Sequence, residues 1–125
     1  YLSADAKAHL YFDLPQVIRN CSAVTAACLM TRRDVFWQVG GFDAIHLAVA
    51  FQDVDFCLKI LEQGYRVLYT PHARLCHFES ETKAEKIANP YEVNYMKLKW
   101  AQVIAHDPFY NPNLTRSRED YGVLV

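Results

Sequence analysis

The stretch Phe51-Gln52-Asp53-Val54-Asp55-Phe56-Cys57-Leu58-Lys59 constrains this chain more than any other. Its apolar positions Val54, Cys57, Leu58 and Leu61 recur at i, i+3, i+4 and i+7, which is one face of a helix. Gly64 stands where a helix C-terminal glycine belongs, so the spacing predicts an amphipathic helix to about Gln63. At about 100° per residue, Asp53 and Asp55 point roughly 200° apart and cannot both face one ligand. Asp55 has Lys59 at i+4 and reads as half of a surface ion pair. Asp53 has no such partner. Either it compensates the helix dipole, as acidic first-turn residues commonly do, or it is a catalytic base at the rim of a site.

The helix needs a core to pack against. A chain of 125 residues that is 52% apolar is the size of one domain and can bury one. A formal net charge of -1 argues against nucleic-acid binding by charge. No run of about 18 apolar residues occurs, the length that spans a membrane, and no basic and apolar leader opens the chain. The first residue is Tyr1, which suggests a piece of a longer protein. Cys21, Cys28, Cys57 and Cys76 form no CxxC pair, so buried free thiols in a reducing compartment are expected rather than a zinc site.

Residues 1–22 read as a connector or N-terminal segment. Ser22 to Met30 is nearly continuous in small and apolar residues and fits a strand buried on both faces. Such a strand should expose an apolar face where a further part of the fold docks, so self-association or packing by Tyr1 to Asn20 is expected. Thr31 looks like an N-cap with Asp34 as its capping-box partner, and Gly40-Gly41 ends that short helix. Ala44 to Ala50 reads as loop. Tyr65 to Thr70 and Arg74 to Phe78 read as strands, and Glu79 to Lys86 as a charged loop. Asn89-Pro90-Tyr91-Glu92 is a helix start, with Glu92 as the capping-box acid. The stripe Val93, Met96, Trp100 and Val103 carries that helix to about His106, after which Asp107-Pro108 and Asn111-Pro112-Asn113 make turns.

Chemistry-bearing patterns are few. There is no glycine-rich phosphate loop and no GxSxG elbow. His77, at a strand end before Glu79, is either a packed structural residue or a metal ligand.

Three stretches together resemble the second half of family 2 glycosyltransferases of the GT-A fold. They are Ala23 to Asp43, Ala50 to Val67, and Tyr69 to Ser80. The ending Asp107-Pro-Phe-Tyr-Asn-Pro-Asn-Leu114 resembles the tail of rhamnosyltransferase-like bacterial members. The resemblance implies an α/β fold, the C-terminal half of a GT-A (Rossmann-like) nucleotide-diphospho-sugar transferase, with a mixed sheet and flanking helices. Residues 23–114 are then the acceptor-side part and 115–125 a tail. It implies that Asp53 is the general base of an inverting sugar transfer. Gln52, Thr25, Ala26 and Lys83 would contact substrate, Lys83 through the diphosphate. His77 would help to hold a divalent metal, Mg or Mn, on the donor. Relatives often carry Gly at the place of Ala26, a departure that narrows the acceptor pocket. Asp53-Val54-Asp55 has the spacing of the family's Asp-x-Asp metal motif but sits on the later helix motif. No Asp-x-Asp that fits the metal role and no nucleotide-binding half is found in this chain, so it alone should bind donor poorly and turn over nothing. The implied partners are a nucleotide-diphosphate sugar and a glycan or lipid-linked acceptor, with no nucleic acid. The implied location is the cytoplasm, including the inner face of the membrane. The alternative is a non-catalytic interaction module on the same scaffold.

Overall fold

The computed structural model of the chain describes residues 11–75, 89–117 and 121–123. Its centre is the helix α2, Gln52–Glu62. The Gly64 turn ends it as expected: Gly64 adopts φ +77°, its N–H donates to the Leu61 carbonyl and the Tyr65 N–H to that of Ile60. These two bonds satisfy carbonyls that the last helical turn leaves open.

Helix α2 is buried on more than the single stripe that its spacing predicts. Phe56, Cys57 and Ile60 enter one core cluster with Cys21, Val35 and Val67. Leu58 enters a second with Leu47, Met96 and Trp100, against which Val54 and Leu61 also pack. A helix with apolar side chains on two sides is an internal element. The short helix α1, Arg33–Gln38, closes the first cluster through Val35, while the Phe36 ring packs tilted against Phe56 at 5.3 Å. Helix α3, Pro90–Lys99, carries Met96 into the second cluster, and Trp100 follows at its C-terminal end.

Several local expectations are corrected. Arg32, not Thr31, stands at the N-cap of α1 and gives no side-chain cap bond; it pairs instead with Asp34. Asn89 does cap α3, accepting the Tyr91 N–H at 3.0 Å, and Pro90 takes the first position. The expected single helix to His106 is interrupted at Trp100 and continues as α4, Ala101–Ala105. Asp107 and Asn111 close the predicted turns through the N–H groups of Phe109 and Asn113. Beyond them Leu114 bridges Val123 in antiparallel fashion.

The sheet is smaller than expected. Among the described residues it has two strands, β1 (Arg19–Asn20) and β2 (Leu68–Tyr69), paired antiparallel with Arg19 opposite Tyr69. The predicted strand from Ser22 to Met30 is not formed. A short 3-10 turn occupies Ala26–Cys28, Cys28 is exposed rather than buried, and Met30 is 98% exposed. A strand buried on both faces needs ladder partners for its N–H and C=O groups, and no described strand lies beside this one. Val24, Leu29, Val35, Phe56 and Val67 instead line an open groove of about 270 Å³. Tyr65 to Thr70 contributes only β2, and Arg74 and Leu75 are not in a strand; the rest of that second predicted strand, with Cys76, lies outside the described residues. Among the described residues no helix is long and apolar enough to cross a membrane.

The largest correction concerns Asp55, which is fully buried rather than a surface partner of Lys59. Its Oδ1 accepts from Lys99 Nζ at 2.7 Å and from the Trp100 indole at 2.9 Å. Lys59 Nζ lies 3.2 Å from Oδ2 but donates to the Gly41 carbonyl at 2.6 Å, so that oxygen receives charge attraction without a directed hydrogen bond. Burial pulls the Lys99 ammonium down, yet the bond to Asp55 and its charge outweigh this and hold its pKa above the ordinary value. The group thus joins α2 to the end of α3. Lys99 keeps about a third of its side chain in solvent and Lys59 keeps the Gly41 carbonyl, so loss of the carboxylate forfeits its charge-assisted hydrogen bonds rather than stranding a buried cation, at a cost of about 1.5–3 kcal/mol. Asp55→Asn is therefore expected to lower stability by an amount in that range in urea denaturation. A change no larger than that of an exposed control such as Asp34→Asn would contradict the arrangement.

Candidate functional site

The N-terminus of α2 brings together three of the residues singled out by sequence. The segment before it ends on Phe51, which adopts φ 64° and ψ 4°. A bulky residue rarely takes this left-handed conformation, and it turns the chain sharply into the helix. Asp53 then falls in the first turn, half-buried. Its Oδ1 accepts the N–H of Val54 at 2.9 Å, one of the donors that a helix start leaves open. Its Oδ2 accepts the N–H of Ala26 at 3.1 Å.

Thr25 prepares that second donor. It caps the 3-10 turn by accepting the Ala27 N–H at 3.4 Å, which leaves the Ala26 N–H for Asp53. The Cys57 thiol points at the Val24 carbonyl at 3.8 Å and ties the same segment to α2 one helical turn further on. Burial pushes the thiols of Cys57 and Cys21 up, so both are protonated packing groups. Thr25 and Ala26 are exposed beside the Asp53 carboxylate. Each carboxylate oxygen carries about two acceptor positions, so the two backbone bonds orient the group and leave one position open on each oxygen. Gln52, in contrast, spends one side-chain amide N–H on the Leu47 carbonyl at 2.6 Å.

His77 and Lys83 lie outside the described residues. Among the described residues no group of three His, Cys, Asp or Glu side chains could hold a metal ion. The described part of the site therefore offers no metal cage.

The loop between α1 and α2 is held by residues that the sequence reading did not assign to the site. Asp43 accepts the N–H groups of Ile45 and His46 at 3.2 and 3.0 Å, and the Tyr95 hydroxyl at 2.9 Å. The His46 ring lies 3.0 Å from Asp43 and stacks on Tyr95 at 4.6 Å. Glu92, expected to close a capping box, turns instead to the loop and accepts the N–H groups of Val49 and Ala50 at 2.9 and 3.1 Å. An aspartate two and three residues before open N–H groups is a recognisable local pattern, so the Asp43 turn was available to sequence reasoning. The partners Tyr95 and Glu92, some 42 to 52 positions away, carry no local signal.

The chain is similar to bacterial proteins, among them one named for O-antigen biosynthesis and one named as a rhamnosyltransferase. It is 43% identical over 117 residues to an uncharacterised protein of Sinorhizobium fredii, covering 89% of this chain and 13% of that protein. It is 38% identical over 107 residues to the O-antigen biosynthesis protein RfbC of Myxococcus xanthus, covering 84% of this chain and 8% of the relative. It is 32% identical over 59 residues to the N-acetylglucosaminyl-diphospho-decaprenol L-rhamnosyltransferase of Mycobacterium tuberculosis, covering 47% and 19%. The chain thus spans less than a fifth of the length of each of these relatives. No family model and no solved structure matches it.

The Asp43 group predicts a pH dependence. The backbone N–H of His46 is the main influence; burial opposes it, and the Tyr95 hydroxyl and the His46 ring add to it, so the Asp43 carboxyl lies well below the usual carboxylate range. The unfolded chain therefore binds this proton at higher pH than the folded chain does. The stabilisation is complete above an unfolded carboxylate pKa of about 4 and is lost as pH falls below it. Asp43→Asn is expected to flatten the acid limb of the stability profile, followed by thermal melting between about pH 2 and 6. An unchanged slope below about pH 4 would remove Asp43 from that role.

Proposed function

We propose that this chain is the acceptor-side part of a glycosyltransferase that moves a sugar from a nucleotide-diphosphate donor to a hydroxyl of a glycan or lipid-linked acceptor. The observation that supports this reading is the Asp53 carboxylate, held at the mouth of α2 by the N–H groups of Val54 and Ala26. A base for this reaction must stand within hydrogen-bond reach of the attacking hydroxyl, with its lone pairs aimed and water not competing for all of them. Two fixed backbone donors supply the aim, and the Thr25–Ala26 edge beside the carboxylate is exposed.

In this reading the acceptor O–H gives its proton to Asp53 as its oxygen forms a bond to the anomeric carbon. The bond from that carbon to the diphosphate breaks, and the nucleoside diphosphate leaves with the electron pair. Attack opposite the leaving group inverts the anomeric centre. Thr25 and Ala26 border the acceptor. Gln52 spends one amide N–H on the Leu47 carbonyl and keeps its side-chain oxygen and second N–H for the substrate. Lys83 toward the diphosphate, His77 toward a divalent Mg or Mn ion, and a cytoplasmic location at the inner membrane face belong to the proposal through the family resemblance. A metal so placed would offset the leaving group's charge. Rhamnosyl transfer to a diphosphate-linked N-acetylglucosamine is the finer version of the reading, supported by the name of the Mycobacterium tuberculosis relative.

General-base catalysis contributes about 10²- to 10⁴-fold to such reactions. Asp53→Asn in the full-length protein is expected to lower kcat by that factor while folding and donor binding persist. The assay uses dTDP-L-rhamnose and UDP-sugars as donors and N-acetylglucosaminyl-diphospho-decaprenol as acceptor. Circular dichroism and titration of the donor nucleotide serve as controls. Turnover equal to that of the unsubstituted protein would sink the assignment.

A further inference from the structure

We propose that Glu92 is a positioning residue for this site, aiming Asp53 through the backbone of the loop that precedes it. The proposal rests on the reading of Asp53 as the base. Glu92 is 2% exposed, and each of its carboxylate oxygens takes one N–H from consecutive residues, Val49 at 2.9 Å and Ala50 at 3.1 Å. A buried carboxylate is costly unless its oxygens are hydrogen-bonded, and bonds to an ionised acceptor are roughly twice as strong as neutral ones. The pair is therefore a rigid clamp on one dipeptide.

The next residue is Phe51, at φ 64°. A bulky residue stays in that region only where its surroundings over-determine it. Glu92 holds the backbone on the N-terminal side. On the C-terminal side the Phe51 carbonyl accepts the N–H of Asp55 at 2.9 Å. Leu47, fully buried, accepts the Gln52 amide and closes the loop on itself. Asp53 follows two residues after the left-handed turn, so a change in the Phe51 dihedrals swings its carboxylate away from the Ala26 N–H. Capping of α3 does not need Glu92, because Asn89 already supplies it. The carboxylate is thus free of its usual first-turn duty and serves a segment 42 to 43 positions earlier in the chain.

Glu92→Gln keeps the shape but leaves one oxygen for two N–H groups, and Glu92→Asp keeps the charge on a shorter stem. Both are compared with Asp53→Asn in the same transfer assay on the full-length protein, and amide exchange is followed at Val49, Ala50 and Ala26. In Glu92→Gln the Val49 and Ala50 amides are expected to lose about tenfold in protection. The Ala26 amide, whose acceptor is Asp53, should lose protection with them. A displacement near 1 Å costs on the order of 100-fold in rate, so kcat should fall about 10- to 100-fold with the acceptor KM within about twofold. Glu92→Asp should fall between, and it carries the same comparison if Glu92→Gln does not fold. An inactive Asp53→Asn beside a fully active Glu92→Gln overturns this role alone. So does a Glu92→Gln whose activity falls only in step with its folded fraction while Ala26 protection is unchanged. Turnover retained by Asp53→Asn overturns the base reading, and this role with it.

Discussion

The buried carboxylate of Asp55 is the constraint on which the arrangement of this chain depends. It brings Lys99 and the Trp100 indole onto α2, and Lys59 adds a second positive charge while binding the Gly41 carbonyl. One side chain therefore connects α2, the end of α3 and the turn after α1. Ion pairs of this kind are poor sources of net stability, because desolvation offsets much of the attraction. What they impose is register: a buried charge tolerates few positions for its partners, and the Leu58, Met96 and Trp100 packing is set alongside it.

With α3 held in that position, its first two turns can reach the loop before α2. Tyr95 and Glu92 lie one helical turn apart and meet two places in that loop, Asp43 and the Val49–Ala50 backbone. The loop is anchored at both ends and by the buried Leu47 between them. Its last residue adopts a left-handed turn that starts α2 with Asp53 toward the Thr25–Ala26 segment. Candidate catalytic geometry on one side of α2 is thus an outcome of packing on the other. The two aspartates do opposite work: Asp53 is half-exposed with acceptor capacity to spare, and Asp55 is sealed between cations.

Much of the fold was legible locally. The α2 helix, its Gly64 terminator, the Asn89–Pro90 start of α3 and the turns at Asp107 and Asn111 all follow from contacts within a few residues, which spacing reveals. The failures are non-local. The run from Ser22 to Met30 has strand composition but no ladder partner among the described residues, and composition cannot supply one. Glu92 sits where a capping-box acid belongs, yet a stronger pair of donors, Val49 and Ala50, reached it through tertiary packing. The i+4 spacing of Asp55 and Lys59 was real, but spacing does not tell a solvated pair from a buried one.

By itself the sequence determined that a helix begins near Asp53, that Asp53 and Asp55 diverge, and that Asp53 was the one left unpartnered on the helix. Those conclusions rest on the 3.6-residue period, which any α-helix obeys. Only the tertiary structure decided that Asp55 is the anchor, that Thr25 and Ala26 border the Asp53 carboxylate, and that Glu92 holds the turn leading to it. Each of these depends on which distant donor comes within about 3 Å of a carboxylate oxygen, and hydrogen-bond distance is a property of the packed chain rather than of its order.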